Sequence, residues 1–185
     1  MIVESKKLIR KHILQERRNI SKREKEEKDK KILKDILASK EYKEAKKIFI
    51  YVSLEDEVDT IELIRAALGD NKEVFVPYVI SKDEGMIAVK IQALEDLESG
   101  SYGILEPKDI SNSIKDKNEL DLIIAPAVAI TRTGYRLGYG GGFYDRFLQD
   151  IGKDTAAIVI VYKEQIINDI PVEPHDYIFT NVIYA

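Results

Sequence analysis

The reading turns on the stretch from Leu122 to Leu148. It opens on an apolar run, Leu122-Ile123-Ile124-Ala125-Pro126, and continues to Arg136-Leu137-Gly138-Tyr139-Gly140-Gly141-Gly142-Phe143-Tyr144-Asp145-Arg146. A buried strand, then a charged glycine loop, then a helix through Leu148 is a common frame for holding a phosphate. Four of the five positions from 138 to 142 are glycine. Glycine loses more conformational freedom on folding than any other residue, so such a run is expected where backbone N–H groups must come close to something. A tight turn between strand and helix would also use glycine, but it has little need of two arginines, an aspartate and three aromatic residues. The loop is not a Walker A sequence, because no Gly-Lys-Ser/Thr closes it. Nor is it a dinucleotide fingerprint, because Phe143 stands where that pattern needs a small residue.

Outward from this loop, composition bounds the class. The 185 residues suffice for one ordinary α/β domain spanning 1–185, and 44% hydrophobic content can fill its core. A formal net charge of -4 gives no long-range steering toward nucleic acid, so no nucleic-acid partner is expected. With no cysteine, disulfides and thiolate metal sites are excluded. No apolar run reaches membrane-spanning length and the start carries no secretory h-region. A cytoplasmic monomer that does not touch membranes is the expectation.

Residues 4 to about 19 read as an amphipathic helix with Ile9, Ile13 and Leu14 on one side. Lys6 and Arg10, four apart, share a face beside them. From composition alone that basic face is equally well a solvated one. Ser21 with Glu24 forms a capping box for a second helix, whose stripe is Ile32, Leu33, Ile36 and Leu37 and whose polar face carries pairs such as Glu27–Lys31. These two helices are expected to pack on the α/β core.

Ile48 to Val52 reads as a strand. Asp59 is expected to cap a helix through Ile61, Ile64 and Leu68, ended by Gly69. Glu57 stands just before it, where a helix dipole also welcomes a merely solvated acid. Val74-Phe75-Val76 is the next strand, stopped by Pro77, and Met86 to Val89 another. Residues 108 to 118 are polar and patternless, as in a surface crossover loop. Leu120–Ala125, Ala156–Val161 and Tyr177–Ile183 complete the strands, and Phe143–Leu148 starts a helix. Strands separated by helices predict a three-layer α/β fold, a mainly parallel sheet with helices on both faces.

Arg136 to Arg146 resembles the signature of the 5-formyltetrahydrofolate cyclo-ligase family, also called the 5,10-methenyltetrahydrofolate synthetases. The likeness extends along the chain. Glu57-Val58-Asp59-Thr60, Tyr102-Gly103-Ile104-Leu105-Glu106-Pro107 and Pro171-Val172-Glu173-Pro174-His175-Asp176 all resemble family phrases, and Lys6 and Arg10 match basic positions near the N-terminus. Arg17 matches a later family arginine and Gln165 a family glutamine. The resemblance implies a Rossmann-like open sheet and an ATP-dependent cyclisation of 5-formyltetrahydrofolate to 5,10-methenyltetrahydrofolate, releasing ADP and phosphate. It implies ATP contacts at Lys6 and Arg10, and folate contacts at Glu57 and near Tyr102 and Glu106. Met86 matches a family methionine and can lie beside a flat heterocycle, although plain core is an equal reading.

For the glycine loop the expectation is physical. Backbone N–H groups of Gly138, Tyr139, Gly140, Gly141 and Gly142, with the helix start at Phe143 and Tyr144, cradle phosphate oxygens. Arg136, Lys6 and Arg10 neutralise charge on the transferring phosphoryl, and Asp145 holds Mg2+. Arg146 is equally well a salt-bridge partner. His175 and Asp176 read as a structural turn. Against the family pattern Pro-Gly-x-Ala-Phe-Asp, this chain has Pro126-Ala127-Val128-Ala129-Ile130-Thr131, so a carboxylate is replaced by Thr131. That replacement is the feature favouring the alternative reading, a non-catalytic nucleotide-binding or regulatory module.

Overall fold

The computed structural model describes residues 5–100, 103–173 and 176–185. The chain begins with helix α1 (Lys6–Asn19), then α2 (Lys22–Ala38) and the short α3 (Lys40–Glu44). Strand β1 (Lys47–Ile50) leads through a loop to α4 (Ile61–Gly69) and the hairpin β2 (Glu73–Ser81) and β3 (Gly85–Ile91). A small antiparallel pair follows, β4 (Leu97–Ser99) with β5 (Leu105–Pro107). After β6 (Leu122–Ala125) come β7 (Ala129–Thr131), β8 (Arg136–Leu137) and α5 (Phe143–Leu148), then β9 (Ala156–Val161), β10 (Ile166–Ile167) and β11 (Asn181–Tyr184).

The main sheet has the order β11-β9-β6-β1-β2-β3. Every neighbouring pair is parallel except β2 with β3, which closes one edge as an antiparallel hairpin. The central strands are apolar on both sides because both sides are covered. On one face Ile48, Ile50, Val74, Val76, Leu122, Ile124, Ile158 and Ile160 pack with Ile32 and Ile36 of α2, Tyr42 of α3, and Leu63 and Ile64 of α4. On the other, Phe49, Phe75, Ile123, Ala125, Val159 and Val161 pack with Phe147 and Leu148 of α5. The period-two alternation of a strand divides each run between these two cores. Helix α1 lies elsewhere: its Ile9 and Ile13 pack with Val128, Ala129, Leu137 and Ile170, over the small sheet β10-β7-β8.

Several local expectations are corrected. Pro77 does not stop its strand, since β2 runs on to Ser81. Strand β1 pairs only with residues 73 to 75, so Pro77 lies past that ladder and its missing N–H costs no bond to β1. In the second helix Ser21 does accept the Glu24 N–H at 3.3 Å, but the Glu24 carboxylate turns to Lys28. Glu27 pairs with Arg23 and Lys31 with Asp35, not with each other. Asp59 accepts the Ile61 N–H at 2.8 Å as a cap should, while Thr60, the residue next to the helix, turns its hydroxyl to the Tyr51 carbonyl at 2.6 Å. As its distance in the sequence predicts, the glycine loop begins well after the buried strand, and the β7–β8 hairpin fills the interval. The segment 108–118 is partly ordered against the sheet edge, with Ser113 bridging Val89.

Candidate active site

The C-terminal ends of parallel strands leave a crevice where their loops diverge, and ligand sites of open α/β sheets form there. Here the loop after β1 and the loop after β8 face each other across a cleft of about 520 Å³. That volume suits a small molecule. Its apolar walls include Val52, Leu54, Pro77, Val79, Met86 and Ile104. Its polar groups are Glu57, Lys82, Glu106, Arg136, Tyr139 and Asp145, beside Gly138, Gly140, Gly141 and Gly142.

The glycine loop is shaped by two backbone conformations that side chains resist: Gly140 has φ +103° and Gly142 φ +67°. Among the described residues, no turn or side-chain hydrogen bond uses the N–H groups of Tyr139 to Gly142, so they remain available to an anion. Gly142 precedes α5, a helix of only 6 residues, whose Phe143 and Tyr144 also line the cleft.

Behind the loop, Arg136 is nearly enclosed. Its Nη1 donates to the Pro126 carbonyl at 3.1 Å and its Nη2 to Asp145 Oδ1 at 2.7 Å, while the guanidinium lies 5.5 Å from the Tyr144 ring centre. One Asp145 oxygen is thus taken by Arg136, and the other has no hydrogen bond from a described residue. Arg146 takes the Lys82 and Gly141 carbonyls at 3.0 and 3.2 Å, so it ties the loop to the β2–β3 turn.

Glu57, only 5% exposed, closes the opposite wall. It accepts the Tyr139 hydroxyl at 2.5 Å and the Leu54 N–H at 2.8 Å. Burial raises its pKa above the ordinary glutamate value, although Tyr139, the Leu54 N–H and nearby Arg17 pull the other way. Burial likewise raises the Tyr139 phenol.

The structure therefore gathers Glu57, Met86, Glu106, Arg136, Gly138, Tyr139, Gly140, Gly141, Gly142, Phe143, Tyr144 and Asp145 around one cavity. Arg10 sits beneath the loop, donating Nε to the Gly138 carbonyl at 2.7 Å. Lys6 is not part of the lining: it pairs with Glu173 at 2.8 Å and approaches Asp176 to 3.9 Å. Tyr102 and His175 lie outside the described residues. Thr131 is away from the cleft, bonded to the Thr133 hydroxyl and the Tyr135 N–H. Its lack of a carboxylate therefore removes nothing from the cavity wall. Sequence reasoning missed Lys82 and the apolar wall of Leu54, Val79 and Ile104, which carry no motif of their own. It placed Arg17 beside Lys6 and Arg10 on one side of the helix but gave it no role at the cleft.

Among the described residues no three His, Asp or Glu side chains converge as a metal cage. One carboxylate whose second oxygen takes no hydrogen bond from a described residue, in a cleft shared with the glycine loop, suits a Mg2+ that keeps most of its water and arrives with phosphates.

An open α/β sheet with a glycine loop facing an acid across an apolar cleft defines a small-molecule-binding α/β protein. The match is more specific than that: the model of the 5-formyltetrahydrofolate cyclo-ligase family covers residues 2–185, and the chain belongs to this family. It is 35% identical over 175 residues to a probable 5-formyltetrahydrofolate cyclo-ligase of Caenorhabditis elegans, covering 89% of this chain and 85% of the relative. It is 31% identical to the 5-formyltetrahydrofolate cyclo-ligase of Haemophilus influenzae, over 95% of each chain. The fold is similar to the solution structure of Aquifex aeolicus 5,10-methenyltetrahydrofolate synthetase, with TM-score 0.84 and 27% identity over 97% of this chain and 89% of that one.

Proposed function

We propose that this chain converts 5-formyltetrahydrofolate to 5,10-methenyltetrahydrofolate, using ATP and releasing ADP and phosphate. The observation that carries the reading is the meeting of a glycine loop with free N–H groups and a buried acid on opposite walls of one cleft, in a chain of this family. The two walls suit two substrates.

On the phosphate side, the N–H groups of residues 138–142 bind phosphoryl oxygens and Arg10 adds positive charge from below. Arg136 does two things: it contributes charge and it fixes the Asp145 carboxylate. Lys6 joins by exchanging Glu173 for phosphate, an exchange that costs little because the pair is partly exposed. Asp145 would hold Mg2+, which supplies charge neutralisation and alignment of the phosphates. On the folate side, Met86 packs against the flat ring system, and Glu57 and Glu106 accept its N–H groups.

The formyl oxygen on N5 attacks the γ-phosphoryl of ATP, and ADP leaves. N10 then attacks the activated carbon, the ring closes, the N10 proton passes to solvent and phosphate departs. Positioning and electrostatics suffice for these steps, and no covalent nucleophile of the protein is required.

The test incubates the purified protein with 5-formyltetrahydrofolate and MgATP, following methenyltetrahydrofolate absorbance and ADP together. Stoichiometric formation of both is expected. ATP binding with neither product would instead mark a nucleotide-binding module. Asp145→Asn and Arg136→Ala are expected to keep the fold by circular dichroism and lower turnover by about 100-fold, the scale of removing one charge-stabilising group. Unchanged rates would withdraw both assignments.

A further inference from the structure

The two walls of the cleft are joined by a clasp that starts outside it. Arg17 stands in the last turn of α1, with only 2% of its side chain exposed. Its Nη2 donates to the Tyr139 hydroxyl at 2.8 Å and to Asp56 Oδ2 at 2.9 Å. The Tyr139 hydroxyl in turn donates to Glu57 Oε1 at 2.5 Å. The guanidinium lies 5.7 Å from the Tyr139 ring centre. Two turns earlier on the same helix, Arg10 holds the Gly138 carbonyl. Helix α1 thus grips the glycine loop at adjacent residues, and through Asp56 it grips the loop that bears Glu57.

We propose that Arg17 is a positioning residue for the folate side of the cleft, fastening the glycine loop to the Glu57 loop through Tyr139 and so setting how Glu57 presents its carboxylate. The inference rests on the proposed function for the identity of the ligand.

Packing alone does not account for this arginine. Its Nε is buried with no hydrogen-bond partner among the described residues, which is a standing cost. Buried ion pairs can often be replaced by apolar residues of similar volume with little loss of stability. What an apolar side chain cannot do is orient the Tyr139 hydroxyl. Burial opposes the Arg17 charge, but Tyr139 and Asp56 outweigh it and hold the guanidinium above its ordinary pKa, so it stays a cation. The groups around Glu57 are Arg17 from α1, Asp56 from its own loop, Tyr139 from the glycine loop, and Tyr51 and Tyr144, whose phenol pKa values its charge raises. Tyr162 donates to the Glu57 backbone carbonyl at 3.0 Å and to Asp29 of α2 at 2.7 Å. Arg17 is the cation that favours Glu57 ionisation in this set.

The test compares Arg17→Met, Arg17→Lys and Tyr139→Phe with the wild type. The readouts are calorimetric Kd for 5-formyltetrahydrofolate, KM for each substrate, and the pH profile of kcat/KM for folate. Arg17→Met is expected to weaken folate binding by about tenfold, the effect of one hydrogen bond near a charge, and to leave the ATP KM within about twofold. It also moves the acid limb of the profile to higher pH, because Glu57 loses a cation that favours its charge. Arg17→Lys, which keeps the charge, returns that limb toward the wild type. Tyr139→Phe removes one hydroxyl and keeps the ring, so it carries the test should Arg17→Met melt near room temperature. Folate affinity and acid limb unchanged in folded variants would overturn the inference, as would equal losses for both substrates. A wild type that binds folate without turning it over refutes the proposed function, while the folate Kd still judges the clasp.

Discussion

At Glu57 two opposing forces meet. Burial disfavours its charge, while the Tyr139 hydroxyl, the Leu54 N–H and Arg17 favour it, and burial prevails. With the folded pKa above the unfolded one, the stabilising contribution of neutral Glu57 is complete below the ordinary glutamate range. It is lost as pH rises through the folded value. Raising the pH from the acid side therefore costs the wild type stability at this site, a cost that Glu57→Gln does not carry. We expect the variant to unfold at a higher temperature than the wild type at pH 7, with the gap closing toward pH 4. A gap that instead widens on acidification would show that the hydrogen bonds outweigh burial. The same variant should bind 5-formyltetrahydrofolate more weakly, a stability gain set against a functional loss. Among single residues, Glu57, Arg136 and Asp145 were legible in the sequence because they sit in recognisable phrases. Lys82 was not, since a lone lysine in a turn has no pattern that separates a cleft from solvent.

At the scale of elements, helices α1 and α2 and strands β1, β6 and β9 follow from local chemistry. Serines cap the helices, isoleucines recur on one face, and β-branched runs make strands that are buried on both sides. The hairpin β2–β3 was less legible, because the effect of Pro77 depends on whether a strand lies beside it. The glycine loop is an element whose shape only glycine adopts easily. Gly140→Ala places a side chain at φ +103°, with its Cβ 3.5 Å from the Arg10 guanidinium carbon. We expect it to cost about 1–2 kcal/mol of stability in urea unfolding and to raise the KM for ATP more than that for folate. An unaffected ATP KM would mean that the loop backbone does not approach the nucleotide.

For the whole molecule, stability resides in the two cores that sandwich the sheet, and the site hangs on their shared strands. Ile124 is fully buried in β6, between β1 and β9. Ile124→Ala should destabilise the protein by about 2–5 kcal/mol in chemical unfolding. It should leave substrate affinity unchanged at temperatures where the protein remains folded. A loss of affinity without a loss of stability would contradict this division between core and site. Sheet order also decides what the loops can reach: β6 lies directly beside β1, so the segments following them face one cleft.

What the sequence by itself determined was the two long N-terminal helices, the central strands with their two-sided burial, and the glycine-rich loop between Arg136 and Arg146. Each rests on neighbours within a few positions, and periodicity and residue type suffice for that. Tertiary structure alone decided that Glu57 and Tyr139, 82 positions apart, share a hydrogen bond. It also decided that Arg17, 122 positions from Tyr139, closes the clasp, and that Lys6 rests on Glu173 outside the cavity. Such contacts depend on which strands become neighbours and where the α1 face lands. That is settled by burying all the apolar surfaces together, and no local stretch of the chain contains it.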